Sequence, residues 1–173
     1  MATRSRARTR RREPASEELQ QQLVKHIDEA YAMEQNVLRM LDGMIESTED
    51  PQMRRELEQH KRQTEQQAKR LERRLKAHDA SPSVIKEAGG IMGALMKGVV
   101  DVARPDKPGR NARDGYATEH MEIASYELLE RVAKRAGDTE TARVARENRK
   151  EEREMARKIA ANWDKVVDLS LEE

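Results

Sequence analysis

One helix-forming stretch of this chain puts a carboxylate where only apolar side chains are expected. Between residues 17 and 47, Leu23, Ile27, Tyr31, Leu38, Leu41 and Ile45 follow one another at spacings of three, four or seven, the pattern of a helix with one face against a core. Glu34 fills the gap between Tyr31 and Leu38. The run Tyr31-Ala32-Met33-Glu34 recurs as Tyr116-Ala117-Thr118-Glu119, so the second copy carries its glutamate at the matching place. An ionised carboxylate inside an apolar bundle costs several kcal/mol unless it is paired, protonated or ligated. Its repetition points to a bound cation.

The rest of the composition agrees with a helical fold. Of the 173 residues, 39% are charged and 2% aromatic, with no Phe, which favours long, charge-laced helices over a β-rich domain. The chain is long enough for one domain. The absence of Cys excludes disulfides, thiolate zinc sites and thiol catalysis, and leaves iron or manganese bound by Glu and His open. No stretch approaches the roughly 18 consecutive apolar residues of a membrane span. The expectation is a cytoplasmic protein without membrane contact.

Arg4, Arg6, Arg8, Arg10, Arg11 and Arg12 all precede the first acid, Glu13; taking those six charges from the net +1 leaves the remainder at −5. A basic block without apolar periodicity cannot bury enough surface to fold, so residues 1–15 are expected to form a disordered arm. Two readings stand for it: a solubilising or recruiting tail, and a weak, salt-dependent contact with nucleic acid that reads no sequence.

Punctuation residues divide the body, residues 16–168. Ser16 caps a first helix that opens with Glu17 and Glu18 and runs to about Ser47. Asp50-Pro51 starts a second, with Met53, Leu57, His60, Thr64, Leu71 and Leu75 on one face and an end near His78. Gly137-Asp138 separates a third helix, about 112–136, from a fourth, about 139–168, leaving 169–173 as a tail. The short connections make each pair an antiparallel hairpin. Between the hairpins, residues 79–111 hold the apolar stretch from Ile91 to Val102 and the breaker that ends in Pro108-Gly109. A crossover of this length, with one or two short helices, predicts an all-α, ferritin-like four-helix bundle. The apolar stretch could form a membrane-surface helix, but packing across the bundle end or against a second subunit is the expected use.

Laying the second helix on the fourth, His60 opposite Asn148 and Thr64 opposite Glu152, extends the internal repeat. Dinuclear carboxylate bundles take one Glu from each of two helices and a Glu-x-x-His pair from each of the others. Glu34 and Glu119 match the single glutamates, but neither remaining helix has Glu-x-x-His at the required place. They offer His60, Thr64 and Gln67 on one, and Asn148, Glu151 and Glu152 on the other. Glu122 lies one turn beyond Glu119, with Tyr126 a further turn along. Such a donor set suits one or two iron or manganese ions per chain. His60 has two readings, as a ligand and as a core histidine bonded to Glu34 or Glu119. Glu151, with Arg149, Lys150 and Arg153 around it, reads as surface, as do His26 and His78, while His120 cannot point inward together with Glu119.

Tyr31-Ala32-Met33-Glu34-Gln35, the run from His60 to Gln67, Glu119-His120-Met121-Glu122-Ile123-Ala124-Ser125-Tyr126 and Glu151-Glu152 resemble the YciE/YciF family of ferritin-like proteins over residues 17–167. The resemblance implies a four-helix core with added short helices, often dimeric, kin to rubrerythrins and manganese catalases and linked to bacterial stress responses. It supports Glu34 and Glu119 as metal ligands, followed by Glu152, Glu122 and His60. Tyr31, Tyr116 and Tyr126 are expected to be packing residues whose hydroxyls bond the carboxylates, beside Thr64 and Asn148. Three functions follow: a metal-binding or iron-handling stress protein, a di-metal oxidoreductase acting on peroxide or oxygen, and a metal-free scaffold that works through its arginine arm. The first is the favoured expectation, as a homodimer.

Overall fold

A computed structural model describes residues 16–83 and 107–172. The arginine arm, most of the crossover with its apolar stretch, and Glu173 lie outside the described residues. The described residues form helices and short connections without a strand: α1 (Glu17–Ser47), α2 (Pro51–Ala77), α3 (Lys107–Ala136), α4 (Thr139–Ala161) and α5 (Trp163–Glu172). None of these helices is long and apolar enough to cross a membrane.

The caps are those the sequence specifies. Ser16 Oγ accepts from Leu19 N at 3.3 Å, Asp50 Oδ1 from Met53 N at 2.7 Å and Asp138 Oδ1 from Thr141 N at 2.9 Å, each satisfying a first-turn amide with no partner inside its helix. Gly137 ends α3 at φ 79°, a conformation open to glycine, and lets Asp138 N reach back to Ala133 O at 2.9 Å. The same geometry ends α2, where Asp79 takes φ 54°.

Three boundaries differ from expectation. Helix α3 begins at Lys107, because Pro108 and Gly109 fall in its first turn, where a missing amide hydrogen costs nothing. The fourth helix breaks at Asn162: its N–H bonds Ile159 O at 3.0 Å and its Nδ2 takes Lys158 O at 2.7 Å, tightening the last turn before α5 begins. Helix α5 then runs through Glu172, so residues 169–172 are helical and not a tail.

Helices α1 and α2 pack as one hairpin and α3 and α4 as the other; α1 lies against α3, α2 lies against α4, and α5 folds back on α3. The buried seam of α1 is Leu23, Ile27, Ala30, Glu34, Val37, Leu41 and Met44, alternating steps of four and three as in helices that cross at a shallow angle. Tyr31, Leu38 and Ile45, expected on this seam, flank it and are half-buried. Glu34 is thus nearer the centre of the core than the sequence pattern placed it. Leu71 and Leu75 of α2 and Tyr126 and Leu129 of α3 complete the apolar layers, each large side chain contributing about 1.5–3 kcal/mol on burial.

Candidate metal centre

Midway along the bundle the apolar layers give way to acids. His60 of α2, Glu119 and Glu122 of α3 and Glu152 of α4 turn inward, and one ligand atom from each lies within 4.8 Å of all the others. The four are between 0% and 3% exposed, and Glu34 beside them is 0% exposed. Helical spacing explains α3's double contribution, since residues three apart share a face. His60 Nε2 stands 3.0 Å from Glu119 Oε1 without the alignment of a hydrogen bond. Of its two expected carboxylate partners, His60 faces Glu119.

A chain of donors reaches two of the inward acids, Glu34 and Glu152. Tyr126 Oη donates to Glu34 Oε1, and Asn148 Nδ2 donates to Tyr126 Oη at 3.0 Å. Arg70 Nη1 in turn donates to Asn148 Oδ1 at 2.8 Å and to Glu151 at 2.7 Å. Gln67, 0% exposed, donates through Nε2 to Glu152 and, at 3.0 Å, to Glu151. Thr64 returns its hydroxyl to His60 O at 3.2 Å and so serves its own helix.

These bonds leave one side of the cluster without partners: Glu34 Oε2, Glu119 Oε2, both oxygens of Glu122, Glu152 Oε2 and both ring nitrogens of His60. Protein interiors rarely leave such atoms unpaired. Burial pushes the Glu119 carboxyl up to about 8. Burial, and then the charge of Glu152, raises both Glu34 and Glu122 well above the usual carboxylate range; for Glu152 itself it is burial and then the charge of Glu119. Burial lowers His60 and favours its neutral, ligating form. The unpaired oxygens and imidazole fit a hard or borderline divalent cation, with Glu119, Glu122, Glu152 and His60 as its holders.

Other expectations fare differently. Tyr126 and Asn148 sit where expected. Tyr31 packs against the core without bonding a carboxylate among the described residues, and Tyr116 lays its ring 4.4 Å from His120 and 5.9 Å from Trp163. The two repeated tyrosines therefore stand apart from the donor chain, each half-buried on the flank of its helix's buried face. His120 is exposed and its Nδ1 meets Tyr116 O at 2.9 Å.

Glu151, expected on the surface, is pinned by Arg70 and Gln67 across the α2–α4 contact. Its neighbour Arg149 reaches the other way, to Glu130 at 2.6 Å. His78, expected as ordinary surface, caps α2 and bonds Asp138 at 2.7 Å beside Arg74, joining the ends of the two hairpins. Apolar periodicity does not mark Arg70 as part of the site. Its one signal is its place three residues beyond Gln67, on the side of α2 that meets α4.

Known structures share this fold. A protein from Xanthomonas campestris pv. campestris shares 30% identity with this chain, covering 89% of this chain and 97% of its own at a TM-score of 0.76. The Escherichia coli stress protein YciF shares 18% identity over 88% of this chain and 99% of its own, also at 0.76. A Desulfovibrio desulfuricans bacterioferritin, described with a diiron site in different catalytic states, shares 17% over 88% of this chain and 84% of its own, at 0.73. The last two likenesses establish the fold as ferritin-like. The domain of unknown function DUF892 matches residues 18–172, and the chain belongs to that family, the YciE/YciF type of ferritin-like protein.

Proposed function

We propose that this protein binds iron or manganese inside its bundle, with Glu119, Glu122, Glu152 and His60 as ligands, and serves metal handling in a stress response. The observation that carries this reading is the set of buried, unpaired ligand atoms turned toward one another. Four neighbouring carboxyl groups with one neutral imidazole are a costly core unless a cation compensates them. A divalent ion also restores the ionised form of each acid, so binding releases protons and strengthens as pH rises.

A second reading, a di-metal oxidoreductase, draws on Glu34. Its free Oε2 beside Glu122 and Glu152 would serve a second ion, and the bacterioferritin of the same fold is described with two irons. Paired redox metals supply electron transfer to peroxide or oxygen. This chain's own part would be to position the ions through the Arg70–Asn148–Tyr126–Glu34 relay and to keep water from the apolar layers above and below.

Metal content per chain, measured on protein purified without chelator and reconstituted with iron or manganese, tests both readings. One ion per chain supports metal binding, and two with consumption of peroxide support the oxidoreductase. The double variant Glu34→Gln with Glu119→Gln should lose metal and keep its helix content, because amides match the carboxylates in shape. Unchanged metal content in that variant would refute the ligand assignment.

A further inference from the structure

A second feature touches the same cluster from the side. Below it, toward the α1–α2 turn and the junction of α4 with α5, the bundle holds a partly open cavity of about 280 Å³. Its walls are mainly apolar, with Met40, Met44, Leu57, Met155, Ile159 and Val166 prominent among them. Its inner end is formed by His60 and Glu119, both nine-tenths or more buried, with unpaired polar atoms; exposed Lys158 and Glu172 mark its outer end.

Gly115 of α3 also lines this space. A Cβ there would rest 3.6 Å from Ile159 Cδ1 and 4.0 Å from Met44 Cε, which is ordinary contact, so alanine would fit. Glycine inside a helix is destabilising relative to alanine. Its presence at a buried wall position that would admit a methyl group leaves the cavity wider than packing demands.

Pockets that take small organic ligands are clefts of about 300–1,000 Å³, and this one stands at the lower end of that range. An apolar cavity of about 150 Å³ holds one benzene molecule, so this one has room for a ring with a short alkyl arm. The inner end offers a carboxyl oxygen and an imidazole but no cation, a combination that a hydroxyl can meet as both donor and acceptor. A carboxylate ligand would have to leave water for an apolar space whose inner end offers it no cation.

We propose that the cavity binds a small neutral organic molecule, an apolar body about the size of a propyl-substituted ring, whose hydroxyl reaches Glu119 and His60. The reading goes beyond metal binding and does not depend on it, since walls and inner end are present without an ion. Methionines suit such a site, because their unbranched side chains adapt to ligands of different outline.

The test is a titration of the full chain with 4-propylphenol and, separately, with 4-propylbenzoate, in chelator and again after metal loading. Calorimetry reads affinity, and methyl-labelled NMR reads position. The expected result is binding of the phenol in chelator at least tenfold tighter than the benzoate, with shifts confined to methyls that line the cavity, those of Met40, Met44, Leu57, Met155, Ile159 and Val166 among them. Gly115→Leu, which projects a side chain into the space, should weaken the phenol at least tenfold and leave metal content unchanged; Gly115→Ala should weaken it less. No phenol binding, benzoate binding equally well in chelator, shifts at methyls outside the cavity, or undiminished affinity in a folded Gly115→Leu would each overturn the proposal. Should Gly115→Leu fail to fold, the methyl shifts and the Gly115→Ala affinity decide. Phenol binding by protein that takes up no metal on reconstitution would overturn the metal reading alone.

Discussion

Glu119→Gln keeps the shape of a buried side chain and removes its charge, so it separates what the carboxyl costs the fold from what it offers a metal. In metal-free protein, burial moves this carboxyl from 4.5 to about 8. The folded state therefore holds a proton that the unfolded chain releases above 4.5, and stability falls as pH rises from about 4.5 to about 8. At about 1.4 kcal/mol per pH unit, the loss traceable to Glu119 is roughly 1 kcal/mol at pH 5 and roughly 3 kcal/mol at pH 7. Glutamine carries no such dependence, while Glu34, Glu122 and Glu152 remain in both proteins. Urea unfolding in chelator at pH 5 and pH 7 should show the variant's advantage over the parent growing by roughly 2 kcal/mol. Adding metal at a hundred times its dissociation constant should then stabilise the parent by about 2.7 kcal/mol and leave the variant unmoved. A variant whose stability differs from the parent by the same amount at both pH values would refute the reasoning, because the buried carboxyl would then titrate like an exposed one.

Three further perturbations probe the surroundings. Tyr126→Phe strips a partner from both Glu34 and Asn148 and should cost about 1–3 kcal/mol by thermal or urea unfolding; a change within error would mean that water replaces the hydroxyl. Burial alone would raise Asp138, but hydrogen bonds from Thr141, His78 and Arg74 hold it below its ordinary 3.8. Its contribution is therefore full above about pH 4 and lost as pH falls below that, so Asp138→Ala should cost about 2 kcal/mol at pH 7 and progressively less in acid. Deleting residues 1–13 should remove salt-sensitive affinity for DNA and leave the bundle folded; equal binding with and without the arm would dismiss the nucleic-acid reading.

The helices and their ends were legible because they rest on local chemistry. Ser16, Asp50 and Gly137-Asp138 announce caps and stops through their own side chains and backbone, without reference to the rest of the fold. The seam of α1 is less legible, since Tyr31, Leu38 and Ile45 repeat every seven residues just as the true seam does, and only the neighbouring helices decide which row is central. In the site, Glu34, Glu119, Glu122, Glu152 and His60 stood out as polar residues on apolar faces. Arg70 and Glu151 did not, because a charged residue at the margin of a face looks like solvent-exposed sequence until the partner across the α2–α4 contact is known. The break at Asn162 was hidden for a similar reason: its side chain competes for a carbonyl of its own helix, which apolar spacing does not register.

The central claim is that the inward carboxyls and imidazole hold a metal. Anomalous diffraction from crystals of reconstituted protein, collected on both sides of the iron and manganese absorption edges, tests it most directly. The account predicts a peak bonded to Glu119, Glu122, Glu152 and His60, with any second peak beside Glu34. A fully reconstituted crystal with no peak in the bundle, or with its only peak on the protein surface, would contradict it.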